Sequence, residues 1–391
     1  MMRYIKKLAG FICFTSSIIV LASCGKMIQY PMRSQAGVQA LVNSLMTQVK
    51  DDSDMPENKD RKPVIVIDPF YDADSGEVLE VSEIIERIII EKSGQRFQEF
   101  TFEKMTSESI DIADYLINGV IHPEIFEGSG DQTYERRYYH IFAGVINLKT
   151  GSVVANSDIW LSDLDLTYKP TPAHRDSPMY IKEKDLENAD KDAFKVKAML
   201  TDGDAAYGKG IYKKAVEFYD SVKKYIETRQ AEPEEKMKTY ARLYMVRKKL
   251  GFQDQAEEAF AKLIAISVEE KKMLAFKFLF NVSSVEFWDD PGLKKEYDIW
   301  LRQIGRYFSN TSHCLQITGH SSRSGTPKIN EALSLSRAKK IQDKLHPYFP
   351  QVYERTKAVG MGFRENIIGT GTDDDTDRLD RRVELVVTDC D

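Results

Sequence analysis

Little in this chain suits metal, nucleotide or hydrolase chemistry. Its six histidines are scattered, with no His-Glu-x-x-His, and no two of its four cysteines form a Cys-x-x-Cys pair. Zinc sites recur at such spacings, so no metal centre is expected. Neither a Gly-x-Ser-x-Gly elbow nor a phosphate-binding glycine loop occurs, and no cofactor is implied. Positive charge is not in excess either. Lys and Arg number 55 against 61 Asp and Glu, a formal net charge of -6. A nucleic-acid binder would carry a basic face, so that partner class is not expected. Beyond the N-terminus no run reaches membrane-spanning length. The densest internal patch, Ile84-Ile85 and Ile88-Ile89-Ile90, is interrupted by Glu83, Glu86, Arg87 and Glu91.

What is present describes ordinary globular material. A hydrophobic content of 42% and a charged content of 30% over 391 residues suit two to four domains. Arg3, Lys6 and Lys7 form a short basic lead, and Leu8 to Val20 is apolar but short and rich in Ser and Thr. Leu21-Ala22-Ser23-Cys24 then resembles a bacterial lipobox. That resemblance implies a signal peptide over 1–23 and a lipid bilayer gripped through acylated Cys24. Each buried methylene would contribute about 0.8 kcal/mol. An ordinary signal peptide or a buried helix is the alternative. Gly25, where inner-membrane retention would put Asp, implies by the same resemblance a lipid-anchored protein of the cell outer membrane facing the periplasm.

Residues 24–36 read as a polar tether. Val38, Leu41, Val42, Leu45, Met46 and Val49 have helical spacing. A charged loop with Pro56 leads to the apolar β-type run Val64-Ile65-Val66-Ile67. Val78 to Ile90 is again helical, Phe97 to Phe102 and Ala113 to Val120 read as strands, and Gly128-Ser129-Gly130 as a flexible loop. Tyr138 to Leu148 and Val153 to Leu161 read as a hairpin about Lys149-Thr150-Gly151-Ser152. The Val64–Phe70 opening, the 113–119 strand and the Asn147–Ala155 hairpin resemble the small α/β domain of FlgO-like and CsgG-like envelope lipoproteins. That domain is placed at 37–166, with some other mixed α/β domain as the alternative. Asp68, Asp72 and Asp74 lie in one loop with no identifiable partner, which leaves an enzyme reading without a constellation.

Pro170, Pro172 and Pro178 among polar residues mark a linker, 167–189. Residues 190–270 are helical. Gly203, Gly210-Ile211-Tyr212, Ala215 and Phe218-Tyr219, and then Leu243, Leu250-Gly251, Ala256, Phe260 and Leu263, resemble each other and the tetratricopeptide repeat (TPR). Two such repeats bury too little to stand alone, so this block is expected to pack on a neighbour. It reads as a protein-binding surface or as a helical spacer.

From 275 to 391 a β-α-β-α-β-β order is legible. Strands fall at Phe276–Asn281, Cys314–Gly319, Ala358–Gly362 and Arg382–Thr388, with helices at Leu293–Phe308 and Asn330–Leu345. Ile317-Thr318-Gly319-His320-Ser321-Ser322, the helix carrying Leu333-Ser334 and Arg337-Ala338, and the strand led by Arg381-Arg382 resemble the OmpA-like peptidoglycan-binding domain. In that family an Asp and a later Arg hold the ammonium and carboxylate of diaminopimelate in the peptidoglycan stem peptide. Here the Arg falls on Arg337 and the Asp position on Ser322. A forked guanidinium suits a carboxylate. A hydroxyl bonds an ammonium without neutralising it, at a loss of about 1.5–3 kcal/mol. The resemblance therefore implies a site of Arg337, Ser322, His320, Asn330, Arg381, Arg382 and Asn281. Binding that survives in weaker form, another carboxylate that substitutes, and a domain turned to protein docking all remain open. Alternation sends one of Arg381 and Arg382 inward and the other outward.

With Cys13 in the signal segment and Cys24 lipidated, Cys314 and Cys390 remain, at the start of one strand and the end of another. If those strands are adjacent and antiparallel the thiols meet in a disulfide; otherwise they are two buried free thiols. The acidic run at 372–377 lacks the Gly and terminal Glu of a calcium loop and reads as a solvated loop.

The expected architecture is multidomain α+β: an N-terminal α/β domain, central TPR-like helices and a C-terminal OmpA-like βαβαββ domain. The expected function is non-enzymatic. The chain would link the outer membrane to peptidoglycan and act as a scaffold for envelope machinery proteins of a secretion, flagellar or surface apparatus. The alternative is an OmpA-like domain that has lost wall binding and serves as a docking or regulatory module.

Overall fold

Val64 to Ile67 is four β-branched residues in a row, which suits a strand covered on both faces. In the computed structural model it is β1 (Val64–Ile67), fully buried and parallel to β3 (Thr101–Lys104) and β4 (Tyr115–Glu127). The structure describes residues 31–55, 61–127, 135–162, 168–182, 191–371 and 373–390, and residues 31 onward form one compact unit. Cys13, Cys24, the 128–130 glycine cluster and most of the expected tether lie outside the described residues.

Short β2 (Tyr71–Asp72) also pairs with β4, and antiparallel β5 (Glu135–Asn147) and β6 (Val153–Ser162) complete the order β3-β1-β4-β5-β6. The β5–β6 turn needs Gly151, whose φ is +74°, and the Asn147 side chain takes the N–H groups of Lys149 and Thr150. One face is covered by α1 (Ser34–Val49) and α2 (Glu80–Arg96), through Val38, Leu41, Leu45 and Val49 of the first and Val81, Ile85 and Ile89 of the second. Helix α1 begins at Ser34, inside the expected tether. Just before it, Met32 is bonded both ways to β6, through Trp160 O and Ser162 N–H at 2.9 Å each. The strand expected over 97–102 starts only at Thr101, because Phe97 caps α2 and Phe100 closes a turn on it. After β3 comes the single turn α3 (Ser109–Ile112).

The described part of the expected linker, residues 168–182, is packed. Pro170 bridges to Leu79 and Met179 to Phe276, and Lys277 N–H donates to Pro178 O at 2.8 Å. Ala173 in α4 (Pro172–Arg175), Met179 and Tyr180 are buried. The prolines remove donors without preventing the stretch from lying between the start of α2 and strand β7 and bonding to both.

Helices α5 (Lys191–Gly208) and α6 (Tyr212–Glu227) form one antiparallel pair, and α7 (Pro233–Lys249) and α8 (Gln253–Ile266) the next. Gly210 and Gly251 end α5 and α7 with φ of +73° and +78°. Phe194 and Ala198 of α5 join Val64, Val66, Leu116 and Ile146 on the second face of the large sheet. Phe260 of α8 lies 5.0 Å from Phe276 and stacks near Trp300, so helices and C-terminal sheet share one core. Each such large apolar side chain contributes roughly 1.5–3 kcal/mol when fully buried.

A five-residue π turn, Ser267–Lys271, leads into β7 (Met273–Leu279), and then come α9 (Pro291–Ser309), β8 (Cys314–Gly319), α10 (Pro327–Leu345), the turn α11 (Val352–Arg355), β9 (Thr356–Gly360) and β10 (Arg382–Thr388). The sheet order is β7-β10-β8-β9, with β8–β9 parallel and the other pairs antiparallel. Thr388 sits opposite Cys314, and a disulfide joins Cys314 to Cys390 with their Cα atoms 5.1 Å apart. The described residues thus make a mixed α+β molecule of eleven α-helices and two mixed sheets.

Segments distant in sequence are also tied electrostatically. Glu77, buried after β2, meets Lys277 of β7 at 2.6 Å and also Arg378. Burial alone would raise its carboxyl, but Arg378 and Lys277 outweigh that and hold it at about 2. Beside it Arg242 forks onto Asp204 at 2.7 and 3.0 Å.

Candidate functional site

Two glycines bring the C-terminal helix onto its sheet. A Cβ on Gly319 would lie 1.9 Å from Ser334 O, and one on Gly360 2.5 Å from Glu331 O. Only bare backbone lets α10 approach this closely. Thr326 caps α10 and Pro327 occupies its first turn, so the helix starts three residues before the expected Asn330 and puts Arg337 in the third turn.

Arg337 is fully buried. Its Nε donates to Ser284 O, and its terminal nitrogens donate to His320 O and Asn281 O, each at 2.9 Å. The guanidinium also lies over the Phe280 ring at 5.3 Å. Among the described residues no carboxylate stands within ion-pair distance of it. Burial, and then the nearby Arg381, bring its pKa down to about 9, while Asp373 opposes them. The structure therefore brings Arg337, His320 and Asn281 together, with the last two contributing carbonyls. The His320 ring, pushed down to about 2 by burial and Arg382, stays neutral, with Nε2 3.4 Å from Glu384.

Ser322 is buried on the same rim and donates to Asp373 Oδ1 at 2.5 Å. Ser324 donates to Asp373 Oδ2, and Arg381 Nη1 donates to Oδ1 at 3.0 Å. Burial works against the Asp373 carboxylate, but the two hydroxyls and Arg381 hold it below the usual range. Asn330 joins the group indirectly, donating to Ser324 O at 2.6 Å. Arg381, also fully buried, donates to Phe280 O and Asp374 O and faces the Trp288 ring.

Arg382 lies apart from this cluster. It bonds Glu384 at 2.8 Å and the Tyr180 hydroxyl at 3.1 Å, and Tyr180 in turn donates to Glu384. Alternation does separate the two arginines, but neither points outward: Tyr180, from the packed 168–182 segment, covers the second face. Burial lowers Arg382 to about 10, against the pull of Asp380 and Glu365.

The acidic stretch after Gly371 is solvated only in part: Asp374 and Asp375 are exposed, whereas Thr376 and Asp377 are buried. Asp377, buried, accepts from the N–H groups of Thr370, Gly371 and Asp373, and Asp380 accepts from those of Ile367, Ile368 and Gly369. These six carboxylate bonds, together with those from the side chains of Thr370 to Asp377 and Asn366 to Asp380, shape the segment that presents Asp373. Sequence reading missed Asp373, Ser324 and Tyr180. The available signal was a pair of arginines opening an apolar strand, which must find anions once buried.

The N-terminal aspartates have partners after all. Asp68 pairs with Lys197 of α5 at 2.5 Å, Asp74 with His122 at 2.9 Å, and Asp72 accepts from the N–H groups of Asp74 and Ser75. Asp68 borders a cleft of about 1100 Å³ between α2, α5 and the start of α7, where Lys104 also pairs with Glu86. The pairs Asp68–Lys197 and Lys104–Glu86 tie the walls of this cleft together.

No protein-family model matches the chain, and no curated protein does. Solved structures similar to it include the peptidoglycan-associated lipoprotein from Burkholderia pseudomallei, 23% identical over 28% of this chain and 88% of that one, TM-score 0.24. The periplasmic domain of Helicobacter pylori MotB is 15% identical over 29% and 70%, TM-score 0.23. A Helicobacter pylori protein described as a neuraminyllactose-binding hemagglutinin homolog is 14% identical over 43% and 92%, TM-score 0.20. At scores of this size none of these likenesses carries an argument about the present chain.

Proposed function

We propose that this chain is a non-enzymatic cell-envelope lipoprotein that attaches to peptidoglycan through its C-terminal domain and offers its other surfaces to envelope machinery proteins. One observation carries the reading. Arg337 is a buried guanidinium with three carbonyl acceptors and, among the described residues, no carboxylate in contact, though Asp373 is near enough to act on it. A buried cation without its counter-ion is costly unless an anion arrives. A zwitterion such as diaminopimelate would bring its carboxylate to Arg337 and its ammonium to the neighbouring acid. The lipobox at Cys24 and outer-membrane sorting belong to this reading as sequence inferences.

A second reading has its own observation. Ser322, Asn330, Arg337 and Arg381 are all buried, so in this conformation the rim of the site is closed. A domain kept for docking or for regulating an envelope enzyme would need no opening there. Incubating the folded protein with purified sacculi separates the two. Wall attachment predicts co-sedimentation that a soluble diaminopimelate tripeptide competes away and that Arg337→Lys, which keeps the charge but loses the fork, weakens. Absence of co-sedimentation leaves the docking reading.

A further inference from the structure

The cationic half of the proposed site is Arg337, but the residue at the expected acidic position, Ser322, carries no charge. The geometry points to Asp373 as the group that supplies it: we propose that Asp373, reaching over from the 366–377 segment onto Ser322, holds the ammonium of the wall peptide. This rests on the wall-binding reading and names the residue that would give the site its preference for a zwitterion.

Three observations carry it. Ser322 Oγ and Asp373 Oδ1 are 2.5 Å apart, so the carboxylate occupies the place a longer acidic side chain at 322 would reach. The carboxylate is fixed from three sides by Ser322, Ser324 and Arg381, yet it keeps some exposure (15%), unlike the fully buried Arg337. Among the described residues Oδ2 accepts from Ser324 alone, and a carboxylate oxygen has acceptor capacity beyond one bond for an incoming N–H. The segment is also built to hold this pose. Asp373 has a φ of +60°, which a non-glycine residue adopts at a cost, and its own N–H is tied to Asp377 at 3.1 Å. Gly369 and Gly371, with φ of +71° and +79°, make the two bends that bring it across.

The test is a cycle of protein and ligand changes read by titration calorimetry. The ligands are a soluble tripeptide ending in diaminopimelate and the same peptide acetylated on its side-chain amine. Acetylation should weaken binding to the wild type about tenfold or more. Asp373→Asn should weaken the unmodified peptide by a similar factor and become indifferent to acetylation. The double variant S322D/D373N should regain both affinity and sensitivity to acetylation, a rescue that a merely structural role for Asp373 would not produce. Unchanged or tighter binding by Asp373→Asn would overturn the proposal, the latter marking Asp373 as a plug. A wild type that binds neither the tripeptide nor sacculi would instead remove the wall-binding reading, and this assignment with it. Melting curves of each variant establish that the folded protein is what is titrated.

Discussion

Glu77 and Lys277, 200 residues apart in sequence, meet at 2.6 Å with side chains only 4% and 3% exposed. Arg378 closes on the same carboxylate. Removing one partner of such a group strands charge in the interior, so Glu77→Gln should destabilise the protein by about 3–5 kcal/mol. Chemical denaturation checks this. The sign with pH follows from the depressed carboxyl: its contribution is present above the ordinary 4.5 and is lost as pH falls toward about 2. The variant should therefore lose less stability than the wild type between pH 5 and 2.

Asp72 has the opposite sign. Burial pushes it up to about 7, against the hydrogen bonds from Ser75. Its folded pKa exceeds the ordinary 3.8, so stability falls as pH rises from about 4 to 7 and then levels off. Asp72→Asn, neutral throughout, should flatten that slope; a variant with the wild-type pH profile would show that Asp72 ionises freely in the folded protein.

The Cys314–Cys390 bridge closes a loop over a separation of 76 residues that holds α10, β9 and β10. Reduction should cost about 2–5 kcal/mol, chiefly through the unfolded chain. Thermal melts with and without reductant, alongside a C390S control insensitive to reductant, measure it.

Gly319→Ala would put a methyl 1.9 Å from Ser334 O, where both sides of the contact are backbone. Helix α10 has to retreat. A loss of about 1–3 kcal/mol is expected, together with weaker tripeptide binding because Arg337 rides on the same helix. Calorimetry on the folded variant reads the second effect.

The sequence made regular elements legible and long-range polar partners illegible. The strands at Cys314–Gly319 and Arg382–Thr388 have the expected bounds, because apolar runs ending in Gly or beginning after Arg carry their limits locally. Helix α10 starts earlier than expected, since Thr326-Pro327 is a stronger start signal than Asn330. Of the candidate site, Arg337, Ser322, Asn330 and Arg381 gather around one place, whereas Arg382 faces another. Asp373 went unseen because its role depends on a loop crossing to Ser322, 51 residues away, and no local periodicity encodes that. The proline-marked linker misled for the same reason: Tyr180 finds its partners, Arg382 and Glu384, about two hundred residues downstream.

The 168–182 stretch has a mechanical consequence. Because it is stitched to Leu79 on one side and to Phe276 on the other, the described parts have no swivel at that point. A load applied between the α/β region and the C-terminal sheet would pass through the buried contacts of this stretch and not through a free tether.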